Sequence, residues 1–287
     1  MKLPCRRLRI GLALSGGGTK GLAHIGVIKT LERNGIPIDY IAGTSAGSII
    51  GGLYAANKNI SQLEEIVNNL NWWQIVTLFL EPTFKQGLVK GEKISKFLAK
   101  YVGDIKIEEL QISFSAVTTD LNTGQPVIIN KGELIPAIRS SSAVPFIFKP
   151  IMNTNNQLLG DGGLSIPVPT DIVRKMGADI VIAVNLYHDC RLDEQSSKIF
   201  PMIANSIKIL IHHLADVNIQ SADIVITPNV SRVKWNTILS QKDRQELIDI
   251  GAAATEEKIS MIKRVLIKQK TNLFSTIIKK IKSIFRF

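Results

Sequence analysis

Residues 9–56 read RIGLALSGGGTKGLAHIGVIKTLERNG and then IPIDYIAGTSAGSIIGGLYAA, and this stretch decides the fold. Ile10 to Leu14 is a short apolar run that ends in Ser15-Gly16-Gly17-Gly18. Helical spacing follows through Leu22, Ile25, Ile28 and Leu31, until Asn34-Gly35 stops it. Ile38 to Ala42 is a second apolar run, and it too ends in a glycine-bounded turn, Gly43 to Gly47, before a helix-like stretch to Ala56. Strand, tight turn and helix, twice in succession, imply a parallel sheet with helices on its faces.

The rest of the chain extends this α/β pattern. Helical character covers 60–70 and 91–101, and strand character covers 112–118 and 126–130 around the turn Asn122-Thr123-Gly124. Residues 134–141 and 170–176 read as helices, with a turn signal at Asn155-Asn156 between them. Asp179 to Asn185 is strongly apolar, which suits the centre of a parallel sheet. A short strand is expected at 224–227, and helix from Asp243 to the end. No internal repeat or low-complexity linker interrupts the chain. The expected organisation is one α/β domain over 5–258 and a C-terminal extension over 259–287.

Composition excludes several classes. Of 287 residues, 45% are apolar and 21% charged, a globular balance. Cys5 and Cys190 make neither a disulfide framework nor a zinc spacing, so no metal and no cofactor are expected. The net charge of +11 is concentrated at one end: from Lys258 onward there are nine Lys or Arg and no acid. The 257 residues before it carry 26 basic and 24 acidic side chains, so the body is nearly neutral and no nucleic-acid partner is expected. No apolar run approaches the ~20 residues of a membrane span, and the N-terminal one is too short for a secretory leader. The expected location is cytoplasmic.

Two glycine turns and one acidic turn carry the chemistry. Gly16-Gly17-Gly18-Thr19-Lys20-Gly21 matches the dinucleotide fingerprint G-x-G-x-x-G in form. A dinucleotide site needs an acid at the far end of the second strand, whereas Asp39 stands at its start. What remains is a loop whose N–H groups, with Gly17 and Gly18 foremost, can bind negative charge at a helix N-terminus. Gly43-Thr44-Ser45-Ala46-Gly47 is a G-x-S-x-G between strand and helix, as a nucleophile elbow requires; the plainer reading makes Ser45 a helix N-cap. Asp161 lies in Gly160-Asp161-Gly162-Gly163, which is also an ordinary Asp-Gly turn.

Taken together, the three elements resemble the patatin-like phospholipase family, including its bacterial and neuropathy-target-esterase branch. That family has a glycine-rich oxyanion loop, a G-x-S-x-G nucleophile and a D-G-[GA] aspartate, in this order. Leu22-Ala23-His24-Ile25-Gly26, Thr119-Asp120-Leu121 with Thr123-Gly124, and Ser141-Ser142-Ala143-Val144-Pro145 look like the family too. The resemblance covers roughly 9–190, and Lys20 stands where many members have Arg. It implies a three-layer α/β/α fold with a mostly parallel sheet and a Ser–Asp dyad of Ser45 and Asp161. It also implies an oxyanion hole from Gly16, Gly17, Gly18 and Ala46, with Lys20, Gly21, Gly43, Gly47, Gly162 and Gly163 as supporting motif positions. The implied substrate is a phospholipid or lysophospholipid, from which a fatty acid is released. A Ser–His–Asp triad is the mechanistic competitor, with His188, His212 and His213 available and His24 a core residue.

Leu273, Phe274, Ile277, Ile278, Ile281, Ile284 and Phe285 fall on one helical arc, with Lys279, Lys282 and Arg286 opposite. Such a basic amphipathic helix fits an anionic membrane surface on the inner face of the membrane. It can equally pack on the body or on a second copy in a homodimer. Trp72, Trp73, Phe79 and Phe84 read as core or as a lid over the site. The competing functions are a non-catalytic membrane-binding scaffold and a nucleotide-binding oxidoreductase.

Overall fold

The structure is a computed structural model that describes residues 7–71, 74, 89–188, 199–231 and 240–284, without the side chains of Phe200, Pro201 and residues beyond 271. The four aromatics at 72–84, both cysteines and the apolar arc from Leu273 lie outside what is described.

Both strand–turn–helix units form as expected: β1 (Ile10–Leu14) leads to α1 (Ala23–Arg33), and β2 (Tyr40–Thr44) to α2 (Ala46–Asn57). α3 (Ile60–Asn69) and α4 (Glu92–Val102) follow, then β3 (Ser113–Asp120), β4 (Pro126–Ile129) and α5 (Leu134–Ser141). β5 (Ile151–Met152) and β6 (Leu158–Asp161) form a hairpin where the sequence shows only a turn signal. Asn153 closes it, its Oδ1 accepting the N–H groups of Asn155 and Gln157, both at 2.9 Å. α6 (Thr170–Lys175), β7 (Ile180–Val184), α7 (Ile199–Asn218), β8 (Ile224–Ile226) and α8 (Gln241–Ile284) complete the order.

The sheet order is β5-β6-β3-β2-β1-β7-β8, with β4 also on β3. β1 pairs in parallel with β2 and β7, β2 with β3, and β7 with β8; the pairings of β3 with β4 and β6, and of β5 with β6, are antiparallel. The central strands are buried on both faces, which explains their unbroken apolar runs. The faces differ in bulk. Leu12, Leu14, Ile41, Ile180 and Ile182 point into the larger core, with α1, α2 and α8. Ala13, Ala42, Val181 and Ala183 line the smaller one, where α6 rests through Ile172 and Val173. Period-two alternation therefore sorts large from small side chains between the layers.

α8 runs unbroken through the boundary expected near 258, and its first half belongs to the larger core through Leu247, Ile248, Ile259 and Ile262. It meets α1 at two glycines. A Cβ on Gly26 would lie 1.8 Å from the Ile248 carbonyl oxygen, and one on Gly251 would lie 1.9 Å from the Ala23 carbonyl oxygen. Arg244, fully buried, adds hydrogen bonds from Nη2 to the carbonyls of Asn68 (3.1 Å) and Leu70 (2.7 Å) at the end of α3. Among the described residues no helix is long and apolar enough to cross a membrane. Gly26→Ala should lower stability by about 2 kcal/mol, because overpacking against backbone outweighs the ~1 kcal/mol gain in helix propensity. Urea denaturation checks this; a stabilised variant would show that the helices separate at no cost.

Candidate active site

Ser45 joins β2 to α2 at φ 52°, ψ −121°, a conformation that costs a non-glycine residue roughly 1–3 kcal/mol. It occupies the N-cap position, yet its side chain makes no capping hydrogen bond, so the hydroxyl is not spent on the helix. The strain is held from several sides. Ser45 N–H donates to Ser141 Oγ at 3.0 Å, and Ser141 Oγ donates to the Val117 carbonyl at 2.6 Å. Ser48 Oγ donates to the Ser45 carbonyl at 2.6 Å. Gly43 and Gly47 let the turn close, since a Cβ on Gly47 would lie 2.3 Å from the Leu14 carbonyl oxygen and one on Gly43 2.4 Å from that of Gly47.

The register on β3 brings Asp161 to this serine. Thr44, just before Ser45, pairs with Val117, and Asp161 pairs with Thr118. β4 lies opposite both pairings along the other edge of β3, so β2 and β6 share one edge. β2 runs parallel to β3 and β6 antiparallel, so their C-terminal ends meet head to head at neighbouring residues. Gly162 fits there because it has no side chain; a Cβ would lie 2.2 Å from the Val117 carbonyl oxygen.

Asp161 is 6% exposed. Its Oδ1 accepts the Gly163 N–H at 2.7 Å, which realises the Asp-Gly turn, while Oδ2 is buried without a partner in hydrogen-bond geometry. Burial raises its pKa from 3.8 to about 6, against the Ser45 side chain and then the Gly163 N–H, both of which favour the charge. The hydroxyl therefore sits beside the carboxylate without being locked to it.

The glycine loop closes the third side. Gly17 (φ 149°) and Gly18 (φ 57°) take up conformations that glycine alone adopts freely. Gly16 departs from the expected role of N–H donor, because its N–H is committed to the Pro167 carbonyl at 3.2 Å. Its position instead reflects crowding: a Cβ would lie 2.3 Å from the Tyr187 hydroxyl and 3.2 Å from Ser45 Cβ. Gly21 abuts Ala46, the first residue of α2, at a would-be Cβ–Cβ distance of 2.4 Å, and Lys20 N–H bonds back to the Gly17 carbonyl at 3.2 Å. The segment after Asp161 stitches the turns together, since Ile166 accepts from Thr44 Oγ1 at 2.8 Å and Pro167 from Gly16.

His24 is fully buried, and Nε2 meets the Ser15 carbonyl at 2.8 Å, supporting the start of the glycine loop; burial lowers its pKa to about 4, so it is neutral. His212 Nδ1 donates to the Tyr187 carbonyl at 2.5 Å, and Nε2 lies 3.5 Å from Asp216 Oδ2. Asp39 sits at the opposite edge of the sheet, where it accepts the Ile10 N–H at 2.8 Å and pairs with Arg7, so it does not face the glycine loop as a ribose-binding acid would. Among the described residues no His, Cys, Asp or Glu cluster could hold a metal ion. Two contributors escape sequence reading. Ser141 lies in the stretch Ser141-Ser142-Ala143-Val144-Pro145, whose composition names no task for it, and Tyr187 is marked only by its place after a central strand.

A family model described as "Patatin-like phospholipase" matches residues 12–174. An NTE family protein of Mycobacterium bovis is 38% identical over 179 residues, spanning 62% of this chain and 49% of that protein. The human patatin-like phospholipase domain-containing protein 6 is 34% identical over 183 residues, 62% of this chain and 13% of that protein. A lysophospholipase named nte1 from Aspergillus fumigatus is 32% identical over 182 residues, 62% of this chain and 12% of its own. The chain thus matches about half or less of these relatives' length. Among solved structures, VipD from Legionella pneumophila shares the fold at a TM-score of 0.52 and 14% identity, covering 89% of this chain and 67% of VipD.

The Asp161 environment has a consequence for stability. Between pH ~4 and ~6 the native carboxyl keeps a proton that the unfolded chain has released, so stability falls as pH rises through this window. A rise from 3.8 to about 6 corresponds to about 3 kcal/mol. Asp161→Asn, which retains an acceptor for Gly163, should therefore be more stable than the parent at pH 7 by up to about that amount, and equal to it near pH 3. Denaturation at both pH values decides it; a pH-independent difference would contradict the burial argument.

Proposed function

Because the chain belongs to the patatin-like phospholipase family, we propose that it is a serine acyl-ester hydrolase of phospholipids or lysophospholipids, with Ser45 as nucleophile and Asp161 as base. The observation that carries this reading is the pairing of a strained serine, whose hydroxyl caps nothing, with a buried aspartate whose pKa stands near 6. An ordinary aspartate is too weak a base near neutrality, and desolvation corrects that.

Ser45 Oγ attacks the ester carbonyl carbon while its proton passes to Asp161. The oxyanion meets N–H groups of Gly17, Gly18 and Ala46 at the N-terminus of α2, where the helix dipole adds to their effect. The carbonyl re-forms, the alcohol leaves with the proton from Asp161, and water then releases the fatty acid by the same steps in reverse. Gly16 supports this pocket by close packing. No cofactor is needed. The lipid substrate follows from the family and from relatives named as lysophospholipases. The basic C-terminal arc suits an anionic membrane surface, each cation there contributing roughly 1 kcal/mol.

A fluorophosphonate probe should label the parent and not Ser45→Ala, and Asp161→Asn should lose about 10²–10⁴ in kcat on a lysophospholipid. Below pH ~6, kcat/KM should fall about tenfold per pH unit as Asp161 gains its proton. Full labelling of Ser45→Ala, or a profile flat down to pH 4, would sink the proposal.

A further inference from the structure

Tyr187 lies just past β7, at the C-terminal edge of the sheet that also holds Ser45 and the glycine loop. Its backbone is pinned on both sides: the N–H donates to Asn185 Oδ1 at 2.9 Å, and the carbonyl accepts from His212 Nδ1. The preceding Leu186 N–H donates to Ser15 Oγ at 3.0 Å, tying this segment to the glycine loop. The ring is thereby aimed at the reacting centre. Its hydroxyl takes the place a Gly16 side chain would have, 2.3 Å from that Cβ position, which is itself 3.2 Å from Ser45 Cβ. A Cβ on Gly163 would lie 3.6 Å from the same hydroxyl and 3.0 Å from Asp161 Oδ1. Gly16 thus makes room for the phenol oxygen beside the nucleophile, and Gly163 brings the carboxylate turn within van der Waals reach of it.

Among the described residues no hydrogen bond from this hydroxyl to another protein group is found, and the side chain is only partly buried, so the oxygen stands open to a bound substrate. Burial, and then the charge of Asp161, push its pKa upward, so it stays protonated and keeps a proton to donate. A core-filling role would be served equally by phenylalanine, whereas here it is the oxygen that stands closest to the Gly16 side-chain position.

We propose that Tyr187 is a further catalytic residue, whose hydroxyl donates a hydrogen bond to the leaving oxygen of the ester. The assignment rests on the hydrolase reading above, and its side is set by Asp161, which must return the proton to that same oxygen. In the step concerned, the Ser45 Oγ–carbon bond has formed and the bond from carbon to the leaving oxygen breaks. The electron pair goes to the leaving oxygen, which takes the proton held by Asp161. Tyr187 keeps its own proton and stabilises the charge while it builds. Such help matters for a strongly basic glyceryl alkoxide and little for p-nitrophenolate, so the residue favours alkyl esters.

The test compares Tyr187→Phe with the parent on three probes. With a glyceryl or lysophospholipid ester, kcat/KM should fall about 10²-fold. With a p-nitrophenyl ester of the same acyl chain it should be nearly unchanged. The rate of Ser45 labelling by a fluorophosphonate, whose fluoride leaves unaided, should also be unchanged, which reports an intact elbow. Equal losses on both esters, no loss on the glyceryl ester, or loss of labelling in the variant would each overturn the assignment while leaving the Ser45 hydrolase standing. A parent that neither labels nor hydrolyses either ester would overturn both.

Discussion

One edge of β3 serves two strands in succession, and the rest of the site depends on that arrangement. β2 occupies the edge up to Val117 and β6 takes over at Thr118. Because β2 runs with β3 and β6 runs against it, both strands present their C-terminal ends to the same point. Strand ends are where a chain leaves the ladder and can turn sharply. Here one end delivers a serine and the other an aspartate. Had β6 been parallel, its N-terminal end would have faced the elbow and Asp161 would have been carried away from it. The β5–β6 hairpin is the device that supplies the reversal.

Bringing these ends together is costly. Ser45 holds a conformation unfavourable to a side chain, and Asp161 is desolvated with one oxygen unpartnered. The surroundings offset this through backbone contacts and small residues. Ser141 relays the Ser45 N–H to the Val117 carbonyl, so the serine turn is tied to the very residue of β3 where β2 ends. The stretch at Ile166 and Pro167 then links the aspartate turn to β2 and to the glycine loop. Serine turn, aspartate turn and glycine loop are therefore mutually braced. Behind them, the larger core and the close α1–α8 contact give the sheet edge a rigid backing.

The same packing reassigns a glycine. Read as a string, Gly17 and Gly18 stand out as N–H donors, and Gly16 joins them only through the family resemblance. In the fold, Gly17 and Gly18 are the ones with positive φ, whereas Gly16 spends its N–H on Pro167 and yields its side-chain space to Tyr187. A run of identical residues thus divides into a conformational role and a steric one, and no local pattern announces the division.

Local physics was legible in the chain itself. Apolar runs of five residues closed by glycine turns are strands entering helices, and β1, α1, β2 and α2 form where that rule puts them. Glycine-bounded Ser45 and Asp161 were visible as turn residues for the same reason, since a tight turn constrains its own neighbours. What the string could not convey was meeting in space. That Thr44 and Asp161 pair with adjacent residues of β3, that a two-residue strand enables it, and that Tyr187 reaches Gly16 from 171 positions away all depend on register and packing across the sheet. Periodicity and turn chemistry act within a few residues. The polarity of a buried carboxyl and the partners of a strand edge are settled only when distant segments exclude water from one another.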